Sequence, residues 1–167
     1  MSQPSEKDLD RALEDALRTK SDFAEWFLGR TSFAGRTASY VWSRSDHPWS
    51  KYELEIPNPH GGEPHLISRE GETDILAVFM TSDGSRFGLH IENKREQGQF
   101  TQYQPEGYAA RAKKWVGNAT YGSYHEWATV LIAPKAFAAR FPNETKVFGT
   151  FIAYEDIAAF VPAFAGT

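Results

Sequence analysis

Asp74 and the tripeptide Glu92-Asn93-Lys94 flank a turn signal that would gather two carboxylates and one ammonium into a single cluster. Two carboxylates held side by side repel unless a cation stands between them, and a hard divalent metal on oxygen ligands is the usual solution. Lys94 would offset part of that charge and could hold or activate a water. The plainer alternative is a salt-bridge cluster on the surface of a hairpin, which is common and contributes little. Cross-strand charge pairs are ordinary, so the residue types alone leave the two readings level.

The elements that must position these groups are two strands. Asp74 to Met80 is an apolar run, Thr81-Ser82-Asp83-Gly84-Ser85 follows, and Arg86 to Lys94 alternates. Val, Ile and Phe at these lengths favour strands, and Asp-Gly between two such runs marks a hairpin. If Ser82-Asp83-Gly84 is a three-residue loop with Gly84 left-handed, Thr81 faces Ser85 and Asp74 lies opposite Glu92. Side chains alternate with period two, so Lys94 shares the face of Glu92, while Asn93, Phe87, Leu89 and Ile91 point to the other, core-packed face. A two-residue loop would move Asp74 off the Glu92 and Lys94 face.

An acidic residue opening one strand and Glu-x-Lys closing the next resembles the core motif of the PD-(D/E)XK nuclease superfamily. The matching pieces are Gly71-Glu72-Thr73-Asp74 and Ile91-Glu92-Asn93-Lys94, followed by Tyr103-Gln104-Pro105 at a helix start. The resemblance spans Phe23 to Val161 in element order and these short segments in residues. It implies a restriction-endonuclease-like α/β fold, a mixed β-sheet core flanked by helices on both faces. It also implies that Asp74, Glu92 and the Asn93 backbone carbonyl bind Mg²⁺, with Mn²⁺ as a substitute, and that Lys94 orients the attacking water or stabilises the pentavalent phosphorus. Glu72, two residues before Asp74 on the expected strand, is a candidate for binding a second metal or for acting through water. Glu25 is a weaker one, since relatives contribute an acid from that helix.

Length and composition agree with a single domain over residues 1–167. Such a chain can bury a core, and 41% hydrophobic with 14% aromatic residues is not the composition of a disordered tail. Absence of cysteine excludes disulfide frameworks, thiol nucleophiles and zinc–thiolate sites. It also disqualifies His90-Ile91-Glu92 as a zinc-deaminase signature, which requires a Pro-Cys-x-x-Cys partner. No phosphate-cradling or dinucleotide glycine motif occurs, which argues against ATP and NAD chemistry. No stretch could span a bilayer and the polar opening is no signal peptide, so no membrane partner and a cytoplasmic location are expected.

A net charge of −4 speaks against indiscriminate polyanion binding. Local distribution differs: Arg86 to Lys114 holds six basic residues against three acids, one of them Glu92. A basic patch beside the acidic pair suits a nuclease acting on phosphates, although each of these residues can equally be a solvated surface charge.

Along the rest of the chain, Leu9, Leu13, Ala16 and Leu17 recur at helical spacing, and Ser21 is expected to cap a second helix, Asp22 to Leu28, closed by Gly29. Thr37 to Trp42 reads as a strand. Ser43 to Arg69, with its prolines, adjacent glycines and three histidines, reads as a long irregular loop beside the substrate cleft. His60 and His65 in that loop lack a third ligand. Pro105 suits the first turn of a helix with the apolar stripe Tyr108, Ala112, Trp115 and Val116, leaving Arg111 and Lys114 on one exposed ridge for phosphates. Related nucleases carry Gln-x-x-x-Tyr here, which Gln104 to Tyr108 fits, as does Gln99 to Tyr103, though some place a glutamine where this chain has Gly107. Core packing is the simpler reading of Tyr108. Strands from Trp127 to Ala133 and Lys146 to Ala153, a short helix after Pro134 and a last helix from Tyr154 to Val161 complete the order.

The expected function is therefore a metal-dependent nuclease acting on nucleic acid, with DNA as the expected polymer. Asp74, Glu92, Lys94 and Glu72 carry the chemistry, and Arg111, Lys114 and Gln104 contact substrate. The alternative is a nuclease-fold binding module with weak or no turnover in a larger complex. A homodimer is compatible with either.

Overall fold

The computed structural model describes residues 2–167. Its centre is a mixed five-stranded sheet in the order β1-β4-β5-β6-β7, built from β1 (Ala38–Arg44), β4 (Ile75–Thr81), β5 (Arg86–Asn93), β6 (Glu126–Ala133) and β7 (Thr150–Ala153). The β1/β4 and β4/β5 pairs are antiparallel, and the β5/β6 and β6/β7 pairs are parallel. Sheet and helices together make a mixed α/β fold.

The β4/β5 register follows from the turn. Gly84 has φ +88°, where a missing Cβ removes the steric cost, and the Thr81 N–H donates to the Ser85 carbonyl at 2.9 Å. Ile75 then pairs with Ile91 and Phe79 with Phe87. Phe87, Leu89 and Ile91 are fully buried, together with Ile75, Ala77 and Phe79 and with Ala128, Val130 and Ile132 of β6. Over this face lie α1 (Glu6–Thr19), α2 (Ser21–Gly29) and the short α6 (Tyr154–Ile157). Ser5 and Asp8 close a reciprocal capping box that starts α1, leaving its stripe Leu9, Leu13, Ala16 and Leu17 to pack on the sheet.

On the other face, α3 (Gln104–Lys114) begins with Pro105 in its first turn and sets Tyr108 against Leu131, Ala133 and Phe148. Trp115, just past its end, and Tyr124 cover Leu76 and Val78. The carboxy-terminal part also carries α4 (Lys135–Arg140) and α5 (Pro142–Thr145).

Several boundaries differ from the sequence reading. Ser43–Arg69 is not an irregular loop: β2 (Trp49–Ile56) and β3 (His65–Glu72) pair along their whole length as a separate antiparallel hairpin that packs against α3. Lys51-Tyr52-Glu53-Leu54-Glu55-Ile56 alternates strictly, and Tyr52 and Leu54 are buried while Lys51, Glu53 and Glu55 are exposed. The prolines lie outside these strands, where they cannot interrupt a ladder. Ser21 is the first residue of α2, not its cap; Lys20 takes the cap position without a side-chain bond. The last strand is only Thr150–Ala153, because the N–H groups of Lys146, Val147 and Phe148 turn back onto α5, and the last helix stops at Ile157.

Gly107 holds hairpin and helix together. A Cβ there would overlap the Tyr52 hydroxyl and stand 3.1 Å from Arg111 Nη1. Alanine is the better helix former by about 1 kcal/mol, but overpacking a filled contact costs about 1–3 kcal/mol. Gly107→Ala is therefore expected to lower the melting temperature, with Tyr52→Phe restoring part of the loss. An unchanged or higher melting temperature for the single variant would show that the hairpin can shift freely on α3.

Candidate metal and catalytic site

Asp74 stands in the bend between β3 and β4, just outside β4, and Glu92 near the end of β5 on the same side of the sheet. Both are nearly inaccessible. Burial raises the Asp74 carboxyl well above the ordinary carboxylate range, and the adjacent Glu92 charge raises it further. Burial also raises Glu92, against the opposing pull of Lys94. Two carboxylates that each resist ionisation are a site short of positive charge.

The surrounding groups orient the pair. Asp74 Oδ2 accepts the Asn93 backbone N–H at 2.8 Å. Glu92 has Lys94 Nζ at 3.5 Å from Oε1, and the Gln104 amide donates to its two oxygens at 3.4 and 3.3 Å. Lys94 is itself held, donating to the Gln99 carbonyl at 2.8 Å over the Phe100 ring. Tyr108 is both core and site: its ring packs on Phe148 while its hydroxyl accepts the Asp74 N–H at 3.2 Å.

A further group of charged side chains gathers around His47, where Asp10 and Glu72 meet. His47 Nε2 is 2.9 Å from Asp10 Oδ2, and His47 Nδ1 is 3.0 Å from Glu72 Oε1 and 3.5 Å from Asp74 Oδ1. Glu6, Asp10 and His47 form one group able to hold a metal ion, and His47, Glu72 and Asp74 form another. Asp10 is fully buried and also accepts from the Asn93 amide at 2.8 Å. His47 has φ +55°, a left-handed conformation that costs a non-glycine residue about 1–3 kcal/mol and tends to occur at functional sites. The hydrogen bond to Asp10 above all, then that to Glu72, raises the His47 imidazole from 6.5 to about 9 against the effect of burial.

That shift has a sign in stability. A histidine whose folded pKa is raised stabilises the fold fully below about 6.5 and loses that contribution as pH rises through about 9. In metal-free protein the melting temperature should fall across this interval more steeply for wild type than for His47→Gln. Parallel curves for the two proteins would show that His47 is not held as a cation.

The other expected residues are distributed as follows. Glu72 ends β3 of the hairpin rather than preceding Asp74 on one strand, yet its carboxylate reaches the cluster through His47. Glu25 does not join it; it lines a separate cleft with Leu17, Leu28, Phe33 and Tyr40, and the amino-terminal acids near Asp74 are Glu6 and Asp10. Asp10 lies three before Leu13 and seven before Leu17, so an acid inside the apolar stripe of α1 was the available signal. Nothing comparable marks His47.

The exposed ridge on α3 is corrected. Arg111 is buried, stacked between Tyr108 and Tyr52 with its Cζ 4.4 and 5.3 Å from the ring centres, and it donates to the Glu72 carbonyl at 2.5 Å. Lys114 is exposed, and its ammonium donates to the Lys51 carbonyl. Arg95 ties down the amino-terminal segment through the Pro4 carbonyl at 2.6 Å. His90 is fully buried between the Thr73 and Tyr124 hydroxyls, and burial lowers it to about 3, so it is neutral. His60 and His65 are exposed at the distal end of the hairpin. Among the described residues, no helix is long and apolar enough to cross a membrane.

Comparison with family models, with curated proteins and with solved structures gives no match to this chain.

Proposed function

We propose that the chain is a metal-dependent phosphodiesterase that hydrolyses nucleic acid, DNA in the first place, on a restriction-endonuclease-like core of the PD-(D/E)XK type. The observation that carries this reading is the buried Asp74 and Glu92 pair at adjacent strand ends, with Lys94 Nζ 3.5 Å from Glu92. The mixed sheet with helices on both faces is consistent with it.

The donor set fits Mg²⁺, or Mn²⁺ in its place. Asp74 and Glu92 offer hard oxygens, and burial raises both carboxyls, with the Glu92 charge adding to the rise at Asp74, a cost of ionisation that a divalent cation offsets. The Asn93 backbone carbonyl would be the third donor of the proposed set; the N–H of the same residue donates to Asp74 Oδ2. Bound there, the ion would supply Lewis-acid stabilisation of the charge that develops on the phosphate. The chain's own part is orientation. Gln104 fixes the Glu92 carboxylate, Tyr108 fixes the Asp74 backbone, and Lys94 holds the water or meets the charge on phosphorus. Glu72 and His47 bound the site on the hairpin side. Lys114, with Lys113, is left as the exposed pair on α3 for phosphates of a longer substrate.

The alternative, a binding module with little turnover, draws on His47, whose cation already answers part of the negative charge of Asp10, Glu72 and Asp74. Labelled single- and double-stranded DNA and RNA, incubated with the protein in Mg²⁺, Mn²⁺ or EDTA, separates the two. Cleavage that requires the metal supports the enzyme. Binding of any of these polymers without cleavage in either metal supports the module.

A further inference from the structure

Beside the carboxylate pair lies a small cavity of about 170 Å³ whose lining includes Tyr52, Arg69, Gly71, Glu72, Gln104 and Arg111. Among the described residues, neither Arg69 nor Arg111 has a carboxylate within salt-bridge distance, although one of them is buried. An arginine this inaccessible is ordinarily paired.

Both guanidinium groups lie over aromatic rings, which leaves N–H groups to recognise an anion. Arg111 lies over Tyr108 and Tyr52, and the Arg69 Cζ is 5.7 Å from the Tyr103 ring centre. Each arginine is anchored on one side only. Arg69 Nη2 donates to the Gln102 carbonyl at 2.7 Å. Arg111 uses Nη2 for the Glu72 carbonyl and Nε for a long 3.5 Å contact to Thr73 Oγ1, and its Nη1 makes no hydrogen bond among the described residues. Two glycines pack close against this guanidinium, since a Cβ at Gly71 would stand 2.5 Å and one at Gly107 3.1 Å from Nη1.

Two acids, Glu70 and Glu72, also belong to the lining, and each has a cationic neighbour outside it. Glu72 Oε1 is 3.0 Å from His47 Nδ1, and Glu70 Oε1 is 3.9 Å from Lys51 Nζ. The volume is well under the roughly 300–1,000 Å³ of sites for drug-sized ligands, so it suits a single small anionic group. Two guanidinium groups in one cavity match the fork geometry of phosphate oxygens. Gln104 lines the cavity and also bonds Glu92, so an anion held there is a neighbour of the carboxylate pair.

We propose that this cavity is a phosphate subsite in which Arg69 and Arg111 hold a phosphate next to the one attacked. That the phosphate belongs to a nucleic acid rests on the nuclease reading; the anion site itself does not. Arg69 is only half-buried, so Arg69→Gln tests the site without emptying the core, and its melting temperature reports folding.

The direct probe is inorganic phosphate, titrated at constant ionic strength into metal-free protein and followed by the arginine Nε–Hε resonances. Wild type should show saturable shifts of Arg69 and Arg111, and Arg69→Gln should weaken phosphate binding about tenfold, the scale of one hydrogen bond to a charged group. Equal affinity in the two proteins, or no shift in wild type at millimolar phosphate, overturns the proposal.

A pair of oligonucleotides with and without a 5′-phosphate, bound in EDTA, identifies the source. Affinity that depends on the 5′-phosphate in wild type alone assigns the cavity to a strand end, and equal affinity for both that falls together in Arg69→Gln assigns it to an internal phosphate. The two readings also fail separately. Phosphate bound at Arg69 without cleavage of any polymer retires the nuclease and keeps the subsite. Cleavage and oligonucleotide affinity untouched by Arg69→Gln retire the subsite and keep the nuclease.

Discussion

Lys94→Ala should lower metal-dependent cleavage by roughly 10²–10³-fold, the loss typical of removing one charge-stabilising donor from a preorganised site, while leaving Mn²⁺ binding nearly intact. Lys94 is not among the proposed ligands. Its backbone N–H is fixed to the Ile132 carbonyl at 3.0 Å and its ammonium to the Gln99 carbonyl, so the charge is held beside Glu92. Asp74→Ala removes an oxygen ligand and should lose both cleavage and metal affinity. Calorimetric Mn²⁺ titration alongside single-turnover cleavage of the same preparations resolves the two behaviours. Cleavage by Lys94→Ala at the wild-type rate would sink the proposed role of the lysine.

Asp74→Asn should have the opposite effect on stability: in metal-free protein near neutral pH it should raise the melting temperature. The sign follows from linkage. Burial and Glu92 raise the folded-state Asp74 pKa above its unfolded value, so the folded state binds the extra proton and stability falls as pH rises from about 4 through the raised folded value. Asparagine is uncharged throughout that interval and keeps an oxygen to accept the Asn93 N–H. Glu92→Gln should act in the same direction. Each kcal/mol recovered corresponds to about 2–4 °C in a chain of this size.

Metal should reverse the ranking. At a hundred times its dissociation constant a ligand of the folded state adds about 2.7 kcal/mol, so saturating Mg²⁺ should raise the wild-type melting temperature and leave Asp74→Asn nearly where it was. A metal-free Asp74→Asn that melts below wild type would mean that the carboxylate is favourably solvated, which contradicts a cation-demanding pair.

How much of this was legible in the sequence depended on whether the signal was local. The β4/β5 hairpin was readable because Asp83-Gly84 and the alternation after it determine the register by turn geometry, and that register alone puts Asp74 and Glu92 on one side. The face made by Phe87, Leu89 and Ile91 followed from the same period of two. The β2/β3 hairpin was also written locally, in the alternation from Lys51 to Ile56, but it was obscured by the prolines and glycines that bound it.

Arg111 shows the opposite case. Its place on α3 beside Lys114 suggested an exposed ridge, and the packing of Tyr52 from a different sheet over Gly107, added to Tyr108 on its other side, buries it. His47 likewise depends on three elements meeting: Asp10 from α1, Glu72 from β3 and Asp74 before β4. No spacing along the chain encodes such a meeting. Asp10 stands between these cases, visible as an acid in an apolar helical stripe yet with no local indication of what it faces.

The most direct measurement is an anomalous difference map from crystals equilibrated with Mn²⁺. A peak bound by oxygens of both Asp74 and Glu92 is expected. Mn²⁺ held only in the Glu6, Asp10 and His47 group, or no peak beside the carboxylate pair at saturating metal, would contradict the proposed metal site.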